Sequence, residues 1–443
     1  MTLLVTGCGG RSGSGAEESA APGVTSTTFG DLKSVCGPGT PASAPAQGVT
    51  AEAVQVGVFT DMGFTKKPEL VDAAKVFTSW CNAAGGINGR EVVAETRDTK
   101  MMEVRQRMLE SCREDFVLVG GSASLDGLGV KDRLSCLLPE FPAQLSQPEN
   151  LQADLQVNAS PSTFAHYEPY FSLREWLFKE AYPQSAGAVG IINGDSPVTK
   201  VLGAKAVESL TAAGGTVTYN ELYPATGVSD WTPYAQAIKS KGVRGLLFLG
   251  SYAQLAKLED VLTGMDYKLD WIDANNNSYN KQFLQLLGRS AEYQNNIVDI
   301  GGVVPFEQQS VPAMRQLQEL YRQYAPDAEL TMPALRAFSS WLLFAKAAGS
   351  CGDELTRKCL VDAASKETAW TGGGLHTAND LSDKDPAPSC FTALQATSQG
   401  WKQADIKPNE DVFRCGGAPY RYTGNYPAPM TLADVGKSMS DLK

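Results

Sequence analysis

Histidine is almost missing from this sequence: His166 and His376 are the only two in 443 residues. That scarcity argues against a His-based metal site and against a His-dependent catalytic triad. Long apolar runs are missing too. No segment approaches the roughly 18 consecutive apolar residues of a membrane-spanning helix. Basic charge is in deficit, with Lys+Arg 38 against Asp+Glu 49 and a net charge of −11. A nucleic-acid binder needs a basic face, so no nucleic-acid partner is expected. No two cysteines have C-x-x-C spacing, which disfavours zinc ribbons and thioredoxin-like redox motifs. A G-x-x-x-x-G-K-[ST] phosphate loop and a G-x-S-x-G nucleophile elbow are also lacking. No cofactor, no metal and no catalytic residue is expected.

What is present begins at the N-terminus. Val5-Thr6-Gly7-Cys8 resembles a bacterial lipobox, in which Cys8 would carry the lipid. The apolar part before it, Leu3-Leu4-Val5, is shorter than a signal h-region, as in a truncated signal. Gly9–Thr28 is rich in Gly, Ser, Ala and Pro and reads as a flexible tether. Beyond Cys8 the remaining cysteines form an even set, which an oxidising compartment permits to pair fully. Cys81 and Cys112 end two helices that flank one sheet, so they are expected to meet. Cys351 and Cys359 bracket a short helical segment, and Cys390 and Cys415 bracket the last strand region. Those three pairs leave Cys36–Cys136 by elimination.

The interior alternates strand and helix patterns. Val54–Phe59 (VQVGVF) is a buried strand, Glu69–Ala84 an amphipathic helix, Glu91–Thr96 a strand and Val104–Cys112 a helix. Phe116–Val119 follows, an apolar run bounded by Gly120-Gly121. Such a run suits a strand buried on both faces of a parallel sheet. A second alternating set runs from Ala188 to Ile272. Two helical stretches follow, Val311–Tyr324 and Pro333–Ala348. The order predicts an α/β chain with two doubly wound parallel sheets. In such sheets ligands bind beyond the carboxyl ends of the strands. Ser122-Ala123-Ser124, after the glycines, therefore offers hydroxyls and backbone N–H groups to a small anionic or polar ligand. The bland alternative is a strand-to-helix turn with glycine at φ > 0 and serine as N-cap.

Several stretches resemble type I solute-binding proteins of ABC transporters, in the branched-chain-amino-acid-binding group. They are Cys81–Arg90 (CNAAGGINGR), Ser229–Gly250 (SDWTPYAQAIKSKGVRGLLFLG), Asp266–Trp271 (DYKLDW) and Gly372–Leu375 (GGGL). The resemblance implies two Rossmann-like lobes joined by three crossovers, with a ligand in the cleft. Its lobes would comprise 53–160 with 305–388 and 161–304 with 389–430, after a leader and tether over 1–52 and before a tail over 431–443. The family's cleft positions fall on Phe64, Ser122, Ala123, Ser124, Gln144, Ser196, Tyr252 and Asn275. The place of a usual cleft aromatic is taken by Gly194-Asp195-Ser196-Pro197. Asn275 stands where amino-acid binders carry an acid for the ligand ammonium. These departures turn the expected ligand towards a small carboxylate or amide, with an amino acid as runner-up. The resemblance further implies an ABC transporter permease as partner, a monomer outside the cytoplasm, and a lipid anchor on Cys8. A sensing lipoprotein reporting to a partner protein and a hydrolase using Ser122 or Ser124 are the alternatives.

Overall fold

The structure is a computed structural model that describes residues 27–161, 164–224 and 226–443. Cys8 and most of the tether lie outside the described residues. The first sheet holds β1 (Ala53–Thr60), β2 (Glu91–Asp98), β3 (Val117–Val119) and β4 (Glu140–Phe141), all parallel, in the order β2-β1-β3-β4. Around it lie α1 (Met62–Thr65), α2 (Glu69–Ala83), α3 (Val104–Glu114) and α4 (Gly127–Ser135). Apolar residues of α2 recur at helical spacing, and Leu70, Ala73, Phe77 and Trp80 are buried.

The second sheet contains β5 (Val189–Asp195), β6 (Val217–Pro224), β7 (Gly245–Leu249), β8 (Trp271–Asp273) and β9 (Asn296–Asp299), again parallel. Its helices are α5 (Phe171–Trp176), α6 (Pro197–Ala212), α7 (Thr232–Ser240), α8 (Tyr252–Gly264), α9 (Lys281–Leu287) and α10 (Ser290–Tyr293). The chain then returns to the first sheet with α11 (Pro312–Tyr324), α12 (Met332–Cys351) and α13 (Arg357–Ala364). On α12, Trp341 stacks on Phe77 of α2 with ring centroids 5.3 Å apart. A ribbon of β10 (Cys390–Phe391) and β13 (Arg414–Cys415) follows, and β11 (Ala393–Thr397) and β12 (Gly400–Gln403) extend the second sheet by antiparallel pairing. The α/β fold with two parallel-stranded lobes is thus present.

The disulfides correct two expected pairs. Cys351 joins Cys359 and Cys390 joins Cys415. Cys81, however, joins Cys36, and Cys112 joins Cys136. Neither Cys81–Cys112 nor Cys36–Cys136 exists. The strand order explains why. From β1 to β2 the chain steps one way along the sheet, and from β2 to β3 it steps back. Right-handed crossovers then put α2 and α3 on opposite faces. From β3 to β4 the chain keeps the direction of the step before it, so α4 shares a face with α3. Accordingly α3 packs on α4, which brings Cys112 to Cys136, while α2 packs on α12.

The tail does not trail free. Between residues 420 and 424 it is fixed to the second lobe: Tyr422 N–H donates to His166 O at 2.9 Å, and Gly424 N–H to the Glu208 carboxylate at 3.2 Å. It then docks on the first lobe. Met430 N–H donates to Glu149 O at 2.9 Å and Leu432 N–H to Asp154 Oδ2 at 2.7 Å. Leu432 and Leu442 bury themselves with Val130 and Leu134 of α4.

Candidate functional site

The carboxyl ends of the two sheets face one another across a cavity of about 500 Å³. The first lobe lines it with the loops after β1, β3 and β4, including Asp61, Ser122, Ser124, Gln144 and Ser146. Ser251 and Tyr252 after β7, and Asn276 and Asn277 after β8, line the opposite wall. A third contribution comes from the loop between α11 and α12, with Glu329 and Thr331. Gly120 makes the turn after β3 possible. Its φ is +64°, and a Cβ there would lie 2.5 Å from Trp341 Nε1.

Of the eight expected positions, Ser122, Ser124, Gln144 and Tyr252 line this cavity. The other four do not. Ala123 is buried in a small apolar cluster with Val104 and Met108. Phe64 sits on α1 and is 62% exposed. Ser196 caps α6, its hydroxyl accepting from Thr199 N–H in a reciprocal capping box. Asn275 has φ +66°, and its side chain accepts from Asn277 N–H at 3.2 Å. It shapes the turn that delivers Asn276 and Asn277 to the cavity. The sequence cluster Asn275–Asn277 marked this loop, but the left-handed residue in it was not legible. The Glu329 loop carried no signal, because it reaches the cleft from far along the chain.

Most of the lining is neutral and hydrogen-bonding. The side chains of Ser122, Ser124, Ser146, Ser251, Gln144 and Asn277 have no hydrogen-bond partner among the described residues. At the mouth the lobes already touch. Lys67 Nζ donates to Tyr252 Oη at 2.8 Å and lies 4.3 Å from the ring centroid. Tyr252 in turn donates to Gln282 Oε1 at 2.5 Å. Lys281 N–H donates to Glu329 Oε1 at 2.9 Å, a second contact between lobes.

Asp61 follows β1 directly. It is buried at the cavity edge. Its Oδ2 accepts from Ser124 N–H at 2.7 Å, and its Oδ1 from Met101 N–H at 2.9 Å and from the Thr99 hydroxyl. Ser122 N–H donates to Phe59 O at 3.0 Å. Asp195 and Asp273, at the ends of β5 and β8, stay out of the lining. Asp195 is exposed and pairs with Lys200 at 2.6 Å. Asp273 is buried, and desolvation, partly offset by Arg174, pushes its carboxyl up to about 6.

Neither histidine approaches the serines of the cleft. His166 Nδ1 lies 2.7 Å from Asp385, and His376 is buried between Ser339 Oγ (2.9 Å) and Thr377 O (2.8 Å). Burial pushes the His376 imidazole down to about 4. Among the described residues, the one metal-type cluster is Cys390, Cys415 and Glu410, whose sulfurs are spent on their mutual disulfide.

Comparison with solved structures shows the same fold in several proteins. A fatty acid ABC transporter substrate-binding protein from Thermomonospora curvata is 18% identical, with TM-score 0.66 over 83% of this chain and 97% of that one. A leucine-binding protein from Thermotoga maritima is 12% identical, with TM-score 0.64 over 79% and 97%. A branched-chain amino acid transporter substrate-binding protein from Streptococcus pneumoniae, in complex with isoleucine, is 15% identical, with TM-score 0.62 over 80% and 99%. No curated protein matches. The family described as periplasmic binding protein matches residues 54–401, most of the chain, and this protein therefore belongs to that family of solute-binding proteins.

Proposed function

We propose that this protein is the extracytoplasmic solute-binding component of an ABC importer, capturing a small polar solute between two closing lobes. The cleft carries the reading. A cavity of about 500 Å³ with unpaired hydroxyls and amides on both walls is the size and chemistry of a small-ligand site. The solute class comprises amino acids, amides and small organic or aromatic acids. The hydroxyl, amide and carboxylate lining suits such molecules better than a long acyl chain, although one relative is named for fatty acids. Residues 53–160 with 305–388, and 161–304 with 389–430, act as the two moving bodies, and Lys67 and Tyr252 meet where they close. The lipobox-like Val5–Cys8 supports a lipid anchor on Cys8. A permease receives the loaded protein, which works as a monomer.

The test combines a thermal-shift screen with small-angle scattering. A ligand at a hundredfold excess over Kd should stabilise the protein by about 2.7 kcal/mol and reduce its radius of gyration. Stabilising compounds that leave the radius unchanged would remove the hinged-capture reading. Loss of uptake on deletion would connect capture to transport.

A further inference from the structure

We propose that Asp61 occupies the position a ligand carboxylate would need, so that the cleft selects solutes presenting an amine or amide donor to the first lobe. This rests on the solute-binding reading and narrows its ligand class. The turn from β3 into α4 would hold an anion through its free N–H groups. Here the protein uses four of those groups itself. Ser122 N–H goes to Phe59 O, Ser124 N–H to Asp61 Oδ2 at 2.7 Å, Gly127 N–H to Gln147 Oε1 at 3.0 Å and Leu128 N–H to Leu125 O at 3.1 Å.

Asp61 cannot swing aside cheaply. It is buried, and Met101 N–H and the Thr99 hydroxyl hold its other oxygen. A carboxylate brought against Ser122 and Ser124 would lie beside this acid with the N–H groups of both serines already taken, and like charges in a shared site oppose one another. A donor fits instead. A carboxylate offers about four acceptor positions, and the three named donors leave one. Asp61 faces the cavity beside the unpaired hydroxyls of Ser122 and Ser124. The cavity margin supports the same sign. Glu69, Asp72, Asp327 and Glu329 line it with Asp61, against the two cations Lys66 and Lys67.

The experiment has two arms. In the first, wild type, D61N and D61A are titrated by calorimetry with leucine, leucinamide, 3-methylbutanoate and 3-methylbutylamine. In wild type each acid should bind at least tenfold more weakly than the matched compound lacking the carboxylate, and D61N should narrow that gap at least fivefold. An acid that matches its amide or amine in wild type, or a gap that D61N leaves unchanged, overturns the proposal. An acid that binds wild type as tightly as its match and compacts it in scattering would do so while leaving solute capture intact. The second arm needs no natural ligand and decides the matter if none of the four binds. Acetate should raise the melting temperature of D61A by several degrees over a chloride control and leave wild type unchanged. Equal effects on both, or none on folded D61A, overturn the proposal. If D61A fails to fold, D61S, whose shorter side chain also vacates the position, replaces it in this arm, with the same outcomes read against wild type.

Discussion

Glu259 gives the sharpest stability prediction. It lies on α8, fully buried, with Oε2 accepting from Asn296 Nδ2 at 2.7 Å. Glu259 Oε1 and Asn296 Oδ1 have no partner. Desolvation pushes the carboxyl from 4.5 up to about 8. The native state therefore keeps the proton to about pH 8, whereas the unfolded chain loses it above about 4.5. Unfolding releases a proton across that window, so stability falls as pH rises. At about 1.4 kcal/mol per pH unit, the loss between pH 5 and pH 7 is roughly 3 kcal/mol. In Glu259→Gln the side chain no longer titrates, and its NH₂ can donate to Asn296 Oδ1 while its carbonyl accepts from Nδ2. Urea unfolding followed by tryptophan fluorescence at pH 5 and pH 7 should show the variant close to wild type at pH 5. At pH 7 it should be more stable by about 3 kcal/mol. Other groups titrate alike in both proteins and cancel in the difference. A variant-to-wild-type difference that does not change with pH would refute the argument.

Three further outcomes are expected. Peptide mapping of the unreduced protein should find Cys36 linked to Cys81 and Cys112 to Cys136; a Cys81–Cys112 peptide would contradict the fold. Replacing Ser124 by Ala should weaken the identified solute by about 1–3 kcal/mol, measured by calorimetry, if its hydroxyl contacts a charged group. Lys67→Met removes the ammonium from Tyr252 and should enlarge the ligand-free radius of gyration, with thermal stability changed by less than about 1 kcal/mol; an unchanged radius would mean that this contact does not hold the lobes together.

How much was legible follows from the kind of signal. Val54–Phe59 and Phe116–Val119 were readable because strands buried on both faces need uninterrupted apolar runs. The helix α12 was readable because Leu335, Phe338, Trp341, Leu342 and Ala345 repeat at helical spacing. Disulfide pairing failed at Cys81 because it depends on which face of the sheet each helix covers. That follows from strand order, which periodicity does not encode. Four of the expected positions line the cavity because the loops after β3, β4 and β7 keep their place at the strand ends. Asn275 and Ser196 were displaced by local turn and cap chemistry, and Phe64 by the outward face of a four-residue helix. The tail has no periodicity at all. Its course is set by separate hydrogen bonds to Glu208, Glu149 and Asp154, each invisible without coordinates.

That tail amounts to a travel stop. Its anchors at Gly424 on one lobe and Met430 on the other are separated by only a short run of chain. Six peptide steps reach at most about 21 Å when fully drawn out. If the lobes hinge as proposed, they can part only until this leash is taut, after which one anchor must release. Chain removed beyond Gly424 would lengthen the stroke of the hinge and enrich widely parted forms. The affinity observed would then fall in proportion to the share of molecules left ready to grip. On the proposed hinged capture, a segment that lines no part of the cavity would set how much of the grip is prepared in advance.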